Sequence, residues 1–375
     1  ILIKFTLFMK YLKLVKVYET LEKTTKRLEK TKIIAEFLKN VSDKDLLHIV
    51  NLLQGRVFPP SDERELGISS QLSLKIIGST TGIQIDRVTK LWKQIGDLGI
   101  VAEKLVKEKK QSALVKKELD TEKVFLNLQK VAELSGKGTV NKKIALVSEL
   151  LAHASSLEAK FIIRTILQDL RIGVGEGVLR DAIAQAYNID IKVVENAINL
   201  LTDYAEVARL ARKGKKALEK ISLVIGNPIK VMLAIRVENF SEAFEAVGKP
   251  AQIEFKLDGF RVQIHKKGDK ITLFTRRLEN VTNRFKELIP VIKNNIKAKS
   301  YVLDSEVIGY NLKTGVYLPF QMISQRIKRK YEIEKMAKEF PVEINIFDII
   351  YIDGKLLVNE PLKNRREILE NVVKQ

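Results

Sequence analysis

The stretch that decides the fold of the second half of this chain is AQIEFKLDGFRVQIHKKGD, residues 251–269. In an extended backbone Glu254 and Lys256 would project from one face of a strand, and the apolar residues between and beside them from the other. An Asp-Gly pair at residues 258–259 is a typical turn sequence, and the alternation resumes after it. The pattern predicts two strands joined by a tight turn, with an acid and a lysine together over an apolar layer.

Further short runs rich in Ile, Val, Phe and Tyr continue this pattern toward the end of the chain. They read FRVQIHKK, ITLFTRR, YVLDSEVIGY and EINIFDIIYIDG, and each has the length and composition of a β-strand. Helical periodicity alternates with them at about residues 240–247, 281–297, 320–339 and 363–373. The fold class predicted for this half is therefore α+β, built around a largely antiparallel sheet.

The first half of the chain has the pattern of a succession of helices. From Tyr11 to about Leu200, apolar residues recur at three- and four-residue spacing, with Lys and Glu filling the other positions. Ser42 followed by Asp45 at the third position is typical of a helix start. Further helices are predicted at residues 70–78, 83–95, 121–134, 139–154, 156–170, 178–187 and 191–205.

The boundary between the two halves is predicted at a lysine-rich stretch that ends in Gly-Asn-Pro at residues 226–228. We therefore predict an all-α domain over residues 9–225 and an α+β domain over residues 226–375. The chain does not begin with Met, and Met9 opens the first helical pattern. Residues 1–8 are accordingly interpreted as an upstream extension and left out of the fold prediction.

The amino-acid composition indicates the kind of partner and excludes several kinds of site. The 375 residues include 66 Lys+Arg against 46 Asp+Glu, a formal net charge of +20, which is shared as +12 on residues 1–225 and +8 on residues 226–375. A hydrophobic content of 45% excludes a wholly disordered basic tail. The absence of Cys excludes disulfides and thiolate metal sites, and three histidines (His48, His153, His265) supply no metal cluster. A polyanion, most commonly a nucleic acid, is the predicted partner, although a Lys-rich surface also arises from base composition or adaptation to heat.

Lys256 is the candidate nucleophile. A lysine attacks an activated phosphate as the neutral amine, which nearby positive charge and partial burial favour. Arg261 follows in the next predicted strand, and Arg276 and Arg277 follow in the one after it. On residue types alone, a surface hairpin with an ordinary ion pair between Glu254 and Lys256 is an equally good interpretation.

The order of the motifs along the chain favours the nucleophilic lysine over the surface hairpin. Residues 256–261, KLDGFR, fit the KxDGxR signature of the covalent nucleotidyltransferases, and the chain as a whole resembles archaeal ATP-dependent DNA ligases over residues 9–375. The later motifs occur in the order seen in that family: LFTRRLENVT, VLDSEVIGY, LPFQMISQRIKRKY, FDIIYIDGKLL and LKNRREIL. The helical half resembles the DNA-binding domain of those enzymes in MKYLKLVKVYETLEKTTKRLEKTKIIAEFLK, GRVFPPSDERELGIS and LRIGVGEGVLRDAIAQAY.

The resemblance implies a role for each residue around the signature. Lys256 would become adenylated through its ε-nitrogen, and Glu254 would accept a hydrogen bond from the adenine amino group. Arg261 and Arg276 would hold ribose and phosphate oxygens, for which a guanidinium fork is well suited. The resemblance leaves open whether Arg276 or Arg277 is the residue that contacts ATP.

The resemblance also implies roles in the last two strands. Glu306 would bind the ribose or help to position Mg²⁺, with Asp304 on the same strand face as an alternative metal neighbour. Phe347 would stack on the adenine ring, although the residue pattern alone would place it in the core. The sequence departs from the family at Ser305, where Gly is usual and a backbone approaches closely, and at Val231, where Pro is common.

Four further residues and one glycine-rich segment have expected roles outside the catalytic set. Asp258 is predicted to stabilise the turn, and His265 to be an ordinary exposed strand residue. RIGVGEG, residues 171–177, lacks the spacing of a phosphate-binding loop and is predicted to follow a helix. We expect a turn between helices there, with Arg171 and Arg180 as DNA phosphate contacts.

The function implied is ATP-dependent sealing of nicks in duplex DNA through a lysine–AMP intermediate, in replication, repair and recombination. ATP and Mg²⁺ are the expected cofactors, nicked double-stranded DNA is the partner, and family analogy adds a sliding clamp. The alternatives are a DNA-binding protein with a degenerate nucleotidyltransferase domain, and an RNA ligase or capping-type enzyme. An NAD-dependent ligase would bring a cysteine zinc module, which this sequence lacks.

Two expectations concern the chain as a whole. No apolar run approaches the length needed to span a bilayer, so no membrane partner is expected. The resemblance implies a cytoplasmic, nucleoid-associated protein. Compared with the family, the chain stops before the last motifs of the adenylation domain and before an OB-fold domain. It is therefore expected to be a C-terminally incomplete ligase that binds DNA and seals nicks poorly.

Overall fold

The computed structural model describes residues 8–60, 62, 64–108, 117–134, 136, 138–232, 234–328 and 332–374. The chain forms two compact units, one comprising residues 1–198 with 203–221 and the other residues 199–202 with 222–375. Residues 1–7 of the predicted extension lie outside the described residues. Phe8 lies within them, with its ring centroid 5.9 Å from that of His48.

The described residues of the first unit form helices joined by loops and turns. Its helices are α1 Tyr11–Glu22, α2 Arg27–Lys39, α3 Asp43–Leu53, α4 Ser70–Thr81, α5 Ile85–Ile95, α6 Leu98–Glu108, α7 Thr121–Glu133, α8 Thr139–His153, α9 Ser156–Ile166, α10 Glu176–Tyr187, α11 Ile191–Leu201, α12 Tyr204–Arg212 and α13 Lys215–Glu219. The seven helices predicted by range are confirmed, with ends that move by a few residues. Helices α6, α12 and α13 were not predicted.

The predicted helix start at Ser42 is confirmed. The Ser42 side chain accepts a hydrogen bond from the backbone N–H of Asp45, which satisfies a donor in the first turn of α3. The Asp45 carboxylate is buried and accepts hydrogen bonds from the Met9 backbone N–H and the Thr121 hydroxyl, both at 2.9 Å. The Asp45 side chain, on α3, therefore links the backbone at Met9 to the first residue of α7.

Helices α6 and α9 pack closely because Gly99 has no side chain. A Cβ atom at Gly99 would lie 2.7 Å from Arg164 Cγ and 2.8 Å from the Lys160 carbonyl oxygen. The buried Arg164 guanidinium bonds the Asp97 carboxylate at 2.7 Å and the Glu22 carboxylate at 2.9 Å. This paired cluster satisfies a charge that would otherwise be costly to bury.

The second unit is built around an antiparallel sheet, whose strands are β1 Phe260–Lys267, β2 Lys270–Thr275, β3 Ser300–Tyr310, β4 Tyr317–Leu318, β5 Val342–Ile352 and β6 Lys355–Leu356. The strand order is β2-β1-β3-β5-β6, and β4 pairs with β3. The helices are α14 Phe240–Val247, α15 Leu288–Asn295, α16 Phe320–Lys328, α17 Ile333–Glu339 and α18 Leu362–Val372. The predicted antiparallel sheet is confirmed, and so are four of its five predicted strands.

Two predicted helices are shorter than the sequence pattern suggested. The prediction over 281–297 becomes a 3-10 turn at Thr282–Arg284 followed by α15. The prediction over 320–339 becomes α16 and α17, and residues 329–331 between them lie outside the described residues. None of the described helices is both long enough and apolar enough to cross a membrane.

The fifth predicted strand, at residues 251–258, is wrong. Residues 251–257 have no regular secondary structure, and the apolar layer predicted there does not form, because Ile253 is 84% exposed and Phe255 is 94% exposed. Pairing of β1 with β3 begins only at Phe260. Upstream of it no strand in the described residues lies alongside to take the backbone hydrogen bonds, and a strand needs such a partner.

The prediction for His265 is also wrong, since this residue is 1% exposed. Residues 223–229 fold over the face of β1 that carries Gln263 and His265. Gln263 exchanges two hydrogen bonds with the backbone of Ile229, and His265 Nδ1 accepts one from the Gly226 N–H at 3.1 Å. Burial lowers the pKa of His265 to about 4, so the imidazole is neutral and can act as this acceptor.

Candidate functional site

The turn after Lys256 is held against β3 by Gly259. A Cβ atom at Gly259 would overlap the Val307 carbonyl oxygen and lie 3.0 Å from Glu306 Cγ. The Gly259 backbone also lowers the pKa of the Glu306 carboxyl, against the larger effect of burial, which raises it. The Asp-Gly turn predicted from the sequence therefore has a second requirement, which is close approach to the strand that carries Glu306.

Glu306 is the carboxylate nearest to this turn. Burial raises its pKa, while the Lys256 ammonium and the Arg261 guanidinium act in the opposite direction. The structure thus brings Lys256, Arg261 and Glu306 into one electrostatic neighbourhood. Lys256 itself is exposed, so the partial burial expected from the sequence is not present; its segment has no partner strand to cover it.

Arg261 and Asp304 form a two-pronged ion pair. Arg261 Nε lies 2.8 Å from Asp304 Oδ1 and 3.0 Å from Oδ2, and a second guanidinium nitrogen also donates to Oδ2. Asp304 is buried, which raises its pKa, and Arg261 opposes that rise while the Asp348 carboxylate adds to it. Because Asp304 is engaged by a guanidinium, it is a poorer candidate metal neighbour than Glu306.

Phe347 lies beside this pair. The register between β3 and β5 shifts so that Asp304 faces Asp348 and Ser305 faces Ile346, leaving Phe347 at the irregularity. Its half-buried ring has its centroid 5.6 Å from Arg261 Cζ, within the range of a cation–π contact. Irregularities of this kind re-aim side chains, and here the ring points toward the Arg261 side of the sheet.

The other predicted nucleotide-binding residues are not brought into these contacts. Glu254 is exposed and its carboxylate accepts a hydrogen bond from the Gln252 side chain. Arg276 and Arg277 are exposed just after β2, and among the described residues neither guanidinium has a recorded hydrogen bond. The choice between Arg276 and Arg277 therefore stays open.

Ser305 replaces the glycine usual in the family without leaving its hydroxyl unpaired. The hydroxyl is buried and donates to the Val262 carbonyl oxygen at 2.6 Å. Asp258 has a contact that sequence reasoning missed, since its carboxylate accepts a hydrogen bond from the Phe320 N–H at the start of α16. No local pattern signals that contact, because the two residues are 62 positions apart.

The glycine-bearing turn lies between α9 and α10, as predicted: residues 171–175 form it, residues 176–177 begin α10, and no strand precedes it. Arg171 pairs with Asp169 at 2.7 Å and with Asp97 at 3.2 Å. Arg180 pairs with Asp181 at 2.8 Å and also with Glu195. Both candidate DNA contacts are therefore already engaged with carboxylates.

A metal ion would find few ligands here. The described part of the chain contains no group of three or more His, Asp or Glu side chains that could hold one. Mg²⁺ in nucleotide sites is typically bound by one or two carboxylates together with phosphate oxygens and water. Glu306 fits that pattern as a single carboxylate, with phosphate oxygens as the other ligands.

Comparison with known proteins agrees with the motif order. The family description "DNA ligase N terminus" matches residues 10–184, and "ATP dependent DNA ligase domain" matches residues 231–375. A DNA ligase of Nanoarchaeum equitans is 46% identical over 97% of this chain and 64% of its own length. Those of Thermococcus onnurineus (39% identical; 98% and 65%) and Methanothermobacter thermautotrophicus (41%; 97% and 64%) are similar.

The chain spans slightly less than two thirds of the length of these curated relatives. Within that span, a helical N-terminal region precedes a nucleotidyltransferase domain with an antiparallel sheet, and the KLDGFR signature lies against the strand that carries Glu306. The chain therefore belongs to the ATP-dependent DNA ligase family.

Proposed function

We propose that this chain transfers AMP from ATP to Lys256, as the first step in sealing nicks in duplex DNA. The observation that carries the proposal is the contact between Gly259 and β3. That contact holds the turn after Lys256 close to Glu306, whose pKa both Lys256 and Arg261 lower, and this supports a shared site for a nucleophile, an acceptor and a phosphate-binding cation.

The first reaction is a phosphoryl transfer that depends on position and charge. The Lys256 amine, after losing a proton to solvent, attacks the α-phosphorus of ATP; a P–N bond forms as the P–O bond to the departing pyrophosphate breaks. Arg261 and either Arg276 or Arg277 neutralise the phosphate oxygens during this step. The AMP then passes to the 5′-phosphate of a nick, and the 3′-hydroxyl displaces it to close the strand.

Nucleotide recognition falls to the remaining residues. Phe347 stacks on the adenine ring, Glu254 accepts from the adenine amino group, and Glu306 bonds the ribose. Glu306 is also the carboxylate that would help to hold Mg²⁺ on the phosphates. For Glu254 to take part, residues 251–257 must pack around the nucleotide, because they have no regular secondary structure and are mostly exposed.

The helical unit is proposed to bind the DNA. A net charge of +12 over residues 1–225 suits contact with the phosphate backbone, and an enzyme that acts at any sequence has no need for base contacts. Arg171 and Arg180 would exchange their carboxylate partners for phosphates. Work in replication, repair and recombination, association with the nucleoid and contact with a sliding clamp belong to the same proposal.

The test of AMP transfer is incubation of the chain with α-labelled ATP and Mg²⁺, followed by denaturing electrophoresis. We expect a covalent label on the unmodified chain and none on Lys256→Ala. Lys267→Ala is the matched control, because this lysine is exposed on the neighbouring strand and should keep the label. Absence of label from the unmodified chain, or equal label on Lys256→Ala, would overturn the proposal.

A further inference from the structure

Two carboxylates face each other across the sheet behind the proposed site. Asp304 on β3 and Asp348 on β5 are register partners. Like charges directly opposite on neighbouring strands repel, and the repulsion is larger where water is excluded. Asp304 is 2% exposed, so this arrangement needs compensating cations.

Each carboxylate has its own guanidinium. Arg261 binds Asp304 from β1, as described above. Arg365 on α18 binds Asp348 from the other side, with Nε 2.8 Å from Oδ1 and a terminal nitrogen 3.0 Å from Oδ2. Arg365 is fixed in turn by a hydrogen bond of 2.6 Å to the Glu360 carbonyl oxygen. The result is a row of alternating pairs, Arg261–Asp304 and Asp348–Arg365.

These two ion pairs affect the position of Arg261, because a guanidinium takes the position in which the neighbouring carboxylates bind it. With Arg365 in place, Asp348 has a two-pronged partner of its own, and Arg261 has Asp304 as its partner. Without Arg365, Asp348 would compete with Asp304 for Arg261. The competition would shift the Arg261 guanidinium from its two-pronged position on Asp304.

We propose that Arg365 and Asp348 are positioning residues for adenylation: Arg365 occupies the Asp348 carboxylate, so that Arg261 stays on Asp304 and points at the nucleotide phosphates. The inference rests on the proposed function, since it concerns how Arg261 serves that reaction. It makes α18, which contributes none of the predicted site residues, part of the site's support.

The double substitution separates this account from a general packing role. Arg365→Met leaves Asp348 unpaired and should raise the KM for ATP in Lys256 adenylation by roughly tenfold, the scale of a charge-assisted hydrogen bond. In Asp348→Asn/Arg365→Met no competing carboxylate remains, so KM should return to within about threefold of the unmodified chain. Arg366→Met, which removes an exposed pair with Glu370 on the same helix, is the matched control.

The measurements are initial rates of Lys256 labelling against ATP concentration, and the NMR resonance of the Arg261 Nε–H in the absence of ATP. We expect Arg365→Met to shift that resonance and the double variant to restore it. Equal impairment of the single and double variants, or an Arg261 resonance and KM unmoved by Arg365→Met, would overturn the inference. Arg365→Gln, which also removes the charge but keeps a polar side chain, replaces Arg365→Met in the single and the double variant if the latter fails to fold.

Failure of the proposed function gives a different result. In that case the unmodified chain takes no label at all, and the Arg261 resonance alone decides the positioning inference: a resonance shifted in Arg365→Met and restored in the double variant supports it, and an unshifted one refutes it. A labelled chain with an unchanged Arg365→Met variant leaves the function standing and removes the inference.

Discussion

Gly259 and Val307 approach so closely that a Cβ atom on Gly259 would overlap the Val307 carbonyl oxygen. We predict that Gly259→Ala pushes the Lys256 turn off β3 and lowers the rate of AMP labelling at least about tenfold, since a small displacement of reacting groups is costly. Gly268→Ala is the control: its Cβ meets nothing within 4 Å but its φ of +59° strains the backbone. It should lose some stability and keep its labelling rate, and equal labelling by both variants would contradict the prediction.

The second prediction concerns the helical unit. Gly99→Ala places a Cβ against Arg164 and the Lys160 carbonyl, so we expect the free energy of unfolding to fall by about 1–3 kcal/mol, as in other overpacked cores. Urea unfolding followed by circular dichroism measures it. Gly175→Ala, where the new Cβ meets nothing within 4 Å, should stay close to the unmodified chain. A Gly99→Ala chain of unchanged stability would show that α6 and α9 pack less closely than described.

The third prediction follows from the buried His265. Its pKa is about 4 in the folded chain and about 6.5 when unfolded, so only the unfolded chain takes up a proton between these values. Stability of the second unit should therefore decline as pH falls from about 6.5 to about 4, by at most about 3 kcal/mol, and His265 should add nothing further below that.

His265→Gln should flatten this part of the pH profile, measured by urea unfolding at several pH values. His153→Gln, in the helical unit, is the control and should leave the profile of the second unit as it was. If the slopes of the His265→Gln and unmodified chains coincide between pH 4 and 6.5, His265 is not held neutral by burial.

The fourth prediction tests the DNA contacts. Binding of nicked duplex, followed by fluorescence anisotropy, should weaken steeply as salt rises, because counterions are released from the phosphates. Arg180→Ala should reduce the slope of log affinity against log salt by about one unit. Arg209→Ala removes another carboxylate-paired arginine of the same unit and serves as the control. If the slope of Arg180→Ala equals that of the unmodified chain, Arg180 does not contact DNA phosphate and only forms its ion pairs with Asp181 and Glu195.

Helix prediction succeeded where a local signal agrees with packing. Ser42 caps α3 because its hydroxyl and the Asp45 N–H are three residues apart, a relationship that the sequence displays directly. Helix α6 was missed because it contains Gly99, which weakens helix propensity. The same glycine is what lets α6 pack on α9, a contact between residues distant in sequence.

The predictions of a strand at residues 251–258 and of an exposed His265 were wrong because both depend on contacts with distant parts of the chain. FRVQIHKK forms β1 because β2 and β3 flank it, whereas the equally strand-like residues 251–257 have no flanking strand. Alternation shows which residues share a face and says nothing about whether a partner is present. The burial of His265 likewise depends on residues 223–229, which lie about 40 positions earlier in the chain.

Four of the candidate site residues lie close together in the structure, whereas Glu254, Arg276 and Arg277 do not join them, and the roles of all seven remain predictions. The KLDGFR motif and the later motif order identified Lys256, Arg261, Glu306 and Phe347, and the structure brings these four into one neighbourhood. The pair between Asp348 and Arg365 joins a strand to a helix, so no local pattern reveals it.

The central claim is that Lys256 carries AMP, and peptide mapping tests it most directly. After incubation with ATP and Mg²⁺, tryptic digestion and mass spectrometry should find AMP on a peptide spanning residues 237–261, because modification of Lys256 blocks cleavage there. Fragmentation should place the added mass on Lys256. AMP on any other residue, or an unmodified peptide ending at Lys256 as the only product, would contradict the account.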